Sequence, residues 1–205
     1  MSADRAQPAS CSPAHPLTDR TQVGARLRSI RKAQKLTLKQ LSERSGVALS
    51  TLSKMELAQV SVSYEKLAAA ARALGVDIAQ LFAPSAMVSR AVQPTVVSTT
   101  IADAPGYSTG NYDYHPMAGD FPGRNMTPMY ARIFARELQQ FEDYIRHPGQ
   151  EFALVLSGRV RIQFETGEQV SIGPQETAYF NSSIGHIYLA EGVEDAEVMV
   201  VMSER

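Results

Sequence analysis

"LKQLSERSGVALSTLSKMEL", Leu38 to Leu57, sets two short helical patterns on either side of one glycine. Leu38 and Leu41 mark the apolar side of the first pattern, and Leu52 and Met55 that of the second. Ser42 is small enough to let two helices approach closely, and Gly46, four residues on, suits the left-handed conformation of a sharp turn. The spacing predicts Leu52 in a core shared with Leu41 and Met55. Thr37 stands where an N-cap for the first helix is needed.

The helical period extends outward from this stretch, from Thr21 to Phe82. Val23, Leu27 and Ile30 fall at i, i+4 and i+7, with Arg26, Arg28, Arg31 and Lys32 on other faces. Ser63 can cap a fourth helix, "YEKLAAAARAL", which Gly75 ends, and Asp77 starts a short last one, "IAQLF". Five short helices in this space predict a compact bundle. Within it, the opening stretch has the geometry of a helix-turn-helix, whose second helix projects into the DNA major groove. A small helical protein-interaction bundle would share the pattern, and charge weighs between the two. Residues 1–82 carry 12 Lys/Arg against 6 Asp/Glu, residues 83–205 carry 8 against 15, and all five lysines lie in the first part. A basic half joined to an acidic half favours a polyanionic partner for the first.

The single cysteine, Cys11, cannot form an intrachain disulfide. It lies in "SADRAQPASCSPAHP", a Pro/Ser/Ala stretch without periodicity or an apolar h-region, which predicts a flexible tail and no secretory signal. The longest late apolar run, "VMVVM", is far too short to cross a bilayer. The expectation is a soluble cytoplasmic protein without a membrane partner.

From Met129 the period changes to two. "RVRIQFE" alternates charge with Val160, Ile162 and Phe164, and "TG" before "EQVSI" marks a hairpin. "YARIFAR", "FALVLS", "AYF", "HIYLA" and "EVMVVM" are further strands, "TVVSTTI" is a candidate strand, and "GYSTGNYDYHP" is an aromatic loop or edge strand. Short strands at short intervals predict an antiparallel sandwich or barrel. In "RHPGQEFALVLSG", Arg146 to Gly158, Glu151 opens a strand and shares its face with Ala153 and Val155. That placement suits a ligand-lined interior, and equally a glutamate paired with an arginine. His186 starts another strand downstream. Strand parity adds Tyr130, Arg132, Phe164, Tyr179 and Tyr188 as lining candidates, and His115 is a further histidine in the aromatic loop.

The helical part, from about Gln22 to Phe82, resembles the XRE family of phage-repressor-like helix-turn-helix proteins, through "GARLRSIRKAQKLTLKQLSERSGVALSTLSKME" and "LGVDIAQLF". The resemblance implies a recognition helix from near Ala48 to about Glu56. Its groove-facing positions are Leu49, Ser50, Ser53 and Lys54, with Thr51 beside a phosphate and Thr37 and Lys39 at backbone-contact positions. Lys54 is long enough for guanine O6/N7, and Leu49 suits a thymine methyl. Arg31 and Glu56 match a family ion pair that ties the first helix to the recognition helix. "AQVSVS", Ala58 to Ser63, replaces the family's usual G-x-x-N-P-S.

The later part, from about Pro94 to Arg205, resembles the cupin barrel. His147, Glu151 and Gly158 match its first motif, H-x-H-x3-E-x6-G, with Ile145 in place of the first histidine, and His186 matches the histidine of the second motif. The resemblance implies a double-stranded β-helix, and His147, Glu151 and His186 could form a His2Glu site for one divalent metal (Zn, Ni, Fe or Mn). A metal-free pocket, in which the same groups bind a small ligand, is the rival reading.

The expected architecture is α + β in two domains: a tail over 1–18, a helix-turn-helix domain over 19–83, a linker over 84–93 and a cupin sensor domain over 94–205. The expected function is a homodimeric transcriptional regulator, a repressor of metabolic or transport genes. It reads a double-stranded operator under control of a small-molecule effector in the barrel, and is not an enzyme. A cupin metalloenzyme with a DNA-binding appendage and an antitoxin-like DNA-binding protein are the alternatives.

Overall fold

A computed structural model describes residues 18–60, 63–82, 94–121 and 123–203. The expected linker, and the expected tail except Thr18, lie outside the described residues, as do two positions of the "AQVSVS" loop.

Among the described residues, five helices come first: α1 (Arg20–Ala33), α2 (Leu38–Ser45), α3 (Leu49–Glu56), α4 (Tyr64–Ala73) and α5 (Ala79–Phe82). Thr37 caps α2 in a reciprocal pair: its hydroxyl accepts from the Gln40 N–H, and its own N–H donates to the Gln40 side chain. Gly46 ends α2 at φ 72°, a left-handed conformation that costs a glycine little, and so turns the chain into α3. Leu41, Leu52 and Met55 are buried together with Val23 and Leu27. At the end of α3, Ala58 takes φ 55° without the help of a glycine.

Nine strands follow among the described residues: β1 (Tyr107–Ser108), β2 (Tyr112–Pro116), β3 (Met126–Ile133), β4 (Gln150–Ser157), β5 (Val160–Phe164), β6 (Gln169–Ile172), β7 (Thr177–Asn181), β8 (His186–Ala190) and β9 (Ala196–Ser203). They form two antiparallel sheets, ordered β1-β2-β3-β9-β4-β7 and β6-β5-β8. An isolated bridge between Ile145 and His186 ties the edge of β8 to the segment before β4. "TVVSTTI" is not a strand. It runs unpaired into a 3-10 turn, Ile101–Asp103, capped by the Thr100 hydroxyl. "GYSTGNYDYHP" is an edge hairpin, β1 and β2.

The two domains pack directly against each other. Buried side chains of bundle and barrel join in one cluster. Tyr64 of α4 lies against Tyr114 of β2 with ring centroids 5.2 Å apart, and Phe82 of α5 lies 5.7 Å from Tyr107 of β1. Arg124 grips Asp77 with Nη2 2.5 and 2.6 Å from its two carboxylate oxygens and Nε 3.1 Å from one of them. The Thr18 N–H donates to the Gly106 carbonyl, while its hydroxyl donates to Phe82.

Candidate functional site

The bundle presents one helix with a bare N-terminal face. Leu52, Met55 and Glu56 turn α3 inward, which leaves Leu49, Ser50 and Lys54 exposed and Thr51 and Ser53 half-buried. Leu49 keeps 47% of its surface exposed on this face. Thr37 and Lys39 are exposed at the start of α2, the adjacent helix. The orientation of α3 is fixed from behind. Arg31 Nε lies 2.5 Å from Glu56 Oε1 and Nη2 lies 2.7 Å from Oε2, while Nη1 donates to the Leu36 carbonyl. Both residues are buried, and burial without the partner would leave a bare charge inside the bundle.

The second cluster lies inside the barrel. Glu151 is carried inward by β4 parity, His186 by the first position of β8, and His147 by the turn ahead of β4. His147 Nε2 lies 2.9 Å from Glu151 Oε2 and His186 Nε2 lies 3.6 Å from the same oxygen. The Tyr188 hydroxyl donates to the other oxygen, Oε1. His186 Nδ1 lies 2.9 Å from the Ile184 carbonyl, which can only accept, so Nδ1 carries a proton. Nε2 therefore faces the carboxylate either with a second proton or with a lone pair for a cation. Burial alone would raise the Glu151 pKa, but hydrogen bonds and charge from His147 and His186 outweigh it and hold the carboxyl well below its usual range. Burial pulls His186 down, and the Glu151 hydrogen bond and charge more than reverse that, so the ring is raised above 6.5.

One donor atom from each of His147, Glu151 and His186 lies within 4.8 Å of the others. Donors around one ion at 2.0–2.2 Å sit roughly 3.4 Å apart in a tetrahedral shell, so the three residues fit a divalent cation with little adjustment. The Ile184 carbonyl supplies the outer hydrogen bond that commonly orients a ligating imidazole. The resemblance's fourth ligand place is apolar here, since Ile145 lines the cavity beside His186.

Around these three, the free space is about 40 Å³. That is room for an ion and a water or two, far below the 300–1,000 Å³ of an ordinary metabolite pocket. Tyr112, Tyr114, Met129, Ala131, Ile133, Val198, Val200 and Met202 fill the rest of the interior wall. Burial pushes the Tyr112, Tyr114 and Tyr188 hydroxyls well above their usual range, so they act as neutral groups. The remaining wall comes from the bundle: Tyr64 and Glu65, in the first turn of α4, cover the cavity mouth. A second cavity of about 510 Å³ lies between the domains and shares Tyr64, Glu65, His147 and Met202 with the first.

Of the lining candidates read from parity, Tyr188 reaches the cavity and the others do not. Tyr130 and Arg132 occupy the opposite face of β3, because Met129, Ala131 and Ile133 are the inward set. Tyr130 packs on His115, and Arg132 binds Asp195 at 2.8 Å. Tyr179 points outward, 66% exposed, and hydrogen-bonds Gln150. Phe164 packs edge-on against Phe180, which itself meets His186 edge to face. His115 is buried away from the cluster with Nδ1 3.0 Å from the Ala104 carbonyl. Sequence reasoning missed Tyr112 and Tyr114, although the Y-x-Y alternation in "NYDYHP" was their available signal. It also missed Tyr64 and Glu65, for which no local pattern exists.

Comparison with known proteins follows the same division. A helix-turn-helix family model matches residues 27–81, and a cupin domain model matches residues 139–202. No curated protein sequence matches the chain significantly. Among solved structures, an HTH_3 family transcriptional regulator from Vibrio cholerae is similar over 91% of this chain and 97% of its own, at 18% identity and a TM-score of 0.60. A hydroxypropylphosphonic acid epoxidase from S. wedmorenis is similar over 90% of this chain and 98% of its own, at 18% identity and a TM-score of 0.46. At such identity the first likeness is one of fold, and the second is too loose to bear on function.

Proposed function

We propose that this chain, which joins a helix-turn-helix domain to a cupin domain, is a transcriptional regulator that reads an operator through α3 and responds to occupancy of the barrel. The carrying observation is the pairing of two features. α3 offers a bare reading face held from behind by Arg31 and Glu56. α4 of the same bundle forms part of the wall around the buried His147, Glu151 and His186. A bound group in the barrel thus meets the DNA-binding domain without an intermediary.

The three barrel residues suit one divalent cation. A metabolite-sized effector has its room in the adjoining cleft of about 510 Å³, from which it would touch both domains. Two copies are needed for useful specificity, since one recognition helix reads only a few base pairs and an inverted repeat presents half-sites about 34 Å apart. Leu156 and Tyr179, exposed on the adjacent strands β4 and β7, offer an apolar surface for that pairing. Repression is the simplest mode for such a dimer at a promoter.

A cupin metalloenzyme would use the same His2Glu cluster, whose three ligands leave positions open. Free space of about 40 Å³ beside the cluster disfavours a substrate in the barrel as it stands. Selection of binding sites from random DNA tests the regulator reading. An enriched inverted repeat bound by a dimer is expected; no enrichment, together with metal-dependent turnover, would support the enzyme.

A further inference from the structure

The barrel cluster has an unresolved charge. With both imidazoles neutral, His147, Glu151 and His186 bring one negative charge to a divalent cation, which leaves one positive charge in an interior whose other lining side chains, Glu65 apart, are neutral. Such a charge is costly to bury without a counter-charge. The place where the resemblance has a fourth protein ligand holds Ile145, which can supply none.

Glu65 stands at the mouth of this cavity. It is half-buried, it lines both the barrel cavity and the interdomain cleft, and it makes no hydrogen bond or ion pair among the described residues. A first-turn glutamate is favoured by the helix dipole alone, which accounts for its charge on α4. The dipole does not account for its position on the wall of a cavity that holds a cation-binding triad. Its neighbours divide as the helix period requires. Tyr64 is buried on Tyr114, while Lys66 is exposed and reaches Glu142 only at 3.8 Å.

We propose that Glu65 of the DNA-binding domain completes the barrel's divalent-cation site, so that the ion is held by both domains at once. This rests on the three-residue site argued above. Glu65 lies outside the group whose donors are within 4.8 Å, so it reaches the ion by a rotation of its own free side chain or through one bridging water. With it the site is neutral: two charges from the ion, one each from Glu151 and Glu65. Because α4 packs on α2, and α2 packs on α3, drawing Glu65 toward the barrel acts on the reading helix through packed neighbours. The ion is then a clamp between sensor and reader.

The test uses the full chain with Zn²⁺ as the probe, in wild type, Glu65→Ala, Glu65→Gln, Glu151→Ala and the neighbouring control Lys66→Ala. Affinity is measured by chelator competition, and amide exchange across Tyr64–Ala73 is followed with and without Zn²⁺. Metal-free melting shows that each variant is folded, and Glu65→Gln, which keeps the shape, serves if Glu65→Ala is not. Expected are loss of binding in Glu151→Ala, a roughly 10–100-fold weaker Zn²⁺ affinity in Glu65→Ala, a smaller loss in Glu65→Gln, and no change in Lys66→Ala. Zn²⁺ should slow exchange in α4 of the wild type and not in Glu65→Ala. Wild-type affinity and wild-type α4 protection in both Glu65 variants would overturn the interdomain ligand while leaving the three-residue site intact. A wild type that takes up no Zn²⁺ would overturn both.

Discussion

Tyr64, the first residue of α4, lies against Tyr114 of β2 with ring centroids 5.2 Å apart and planes inclined by 36°. Both are buried, so this pair is where the helical bundle closes the barrel. Truncating a buried aromatic costs about 3–5 kcal/mol. Tyr64→Ala is expected to separate the unfolding of the two domains, seen as two transitions in denaturant where the wild type shows one. A single transition at the wild-type midpoint would mean that the contact contributes nothing to coupling.

The Arg31–Glu56 pair predicts a different loss. Both members are buried and doubly bonded, so removing one strands the other. Glu56→Ala should destabilise the bundle by about 3–5 kcal/mol, and operator binding should fall with it even though Glu56 faces away from DNA. Chemical denaturation together with a DNA titration checks both.

Lys54 and Lys39 should behave unlike each other. Lys54→Ala is expected to weaken operator binding by about 1–3 kcal/mol and to relax preference at one base position per half-site. Lys39→Ala should weaken operator and random DNA alike and lower the salt slope by about one. Equal, sequence-independent losses for both would show that α3 lies in another register.

Proton and cation compete at His186. Its pKa is raised in the folded chain: burial opposes the charge, but Glu151 favours it more strongly. A cation needs the Nε2 lone pair, so Zn²⁺ affinity should climb as pH rises through the raised value and then level off. In the metal-free chain the raised His186 contributes stability that is full below the unfolded value near 6.5 and is lost as pH rises through the folded one. Glu151 has the opposite sense, since its lowered pKa contributes above about 4.5 and is lost as pH falls below that. Isothermal titration with Zn²⁺ at several pH values, alongside metal-free melting, reads both signs.

Much of this was legible in residue order. Thr37, Gly46, Leu52 and the Arg31–Glu56 pair each carry a local or family-fixed signal, and the structure places them as expected. His147, Glu151 and His186 also converge, although 35 residues separate the last two. Parity failed at Tyr130, Arg132 and Tyr179, because a period of two says which residues share a face but not which face points inward, and β3 buries residues on both faces. Tyr130 is buried, but against His115 and not on the cavity wall. Tyr64 and Glu65 could not be read at all. Their place on the cavity wall arises from how one domain sits on the other, which no local period encodes.

Occupancy of the barrel is proposed to govern DNA binding. Its most direct test is the affinity of wild type and Glu151→Gln for a selected operator, measured by fluorescence anisotropy with and without saturating Zn²⁺. Zn²⁺ is expected to change the wild-type affinity several-fold, while Glu151→Gln is expected to bind with metal-free wild-type affinity and not to respond. A wild type whose operator affinity is the same with and without Zn²⁺ although the ion is bound, or a Glu151→Gln protein that responds as the wild type does, would contradict it.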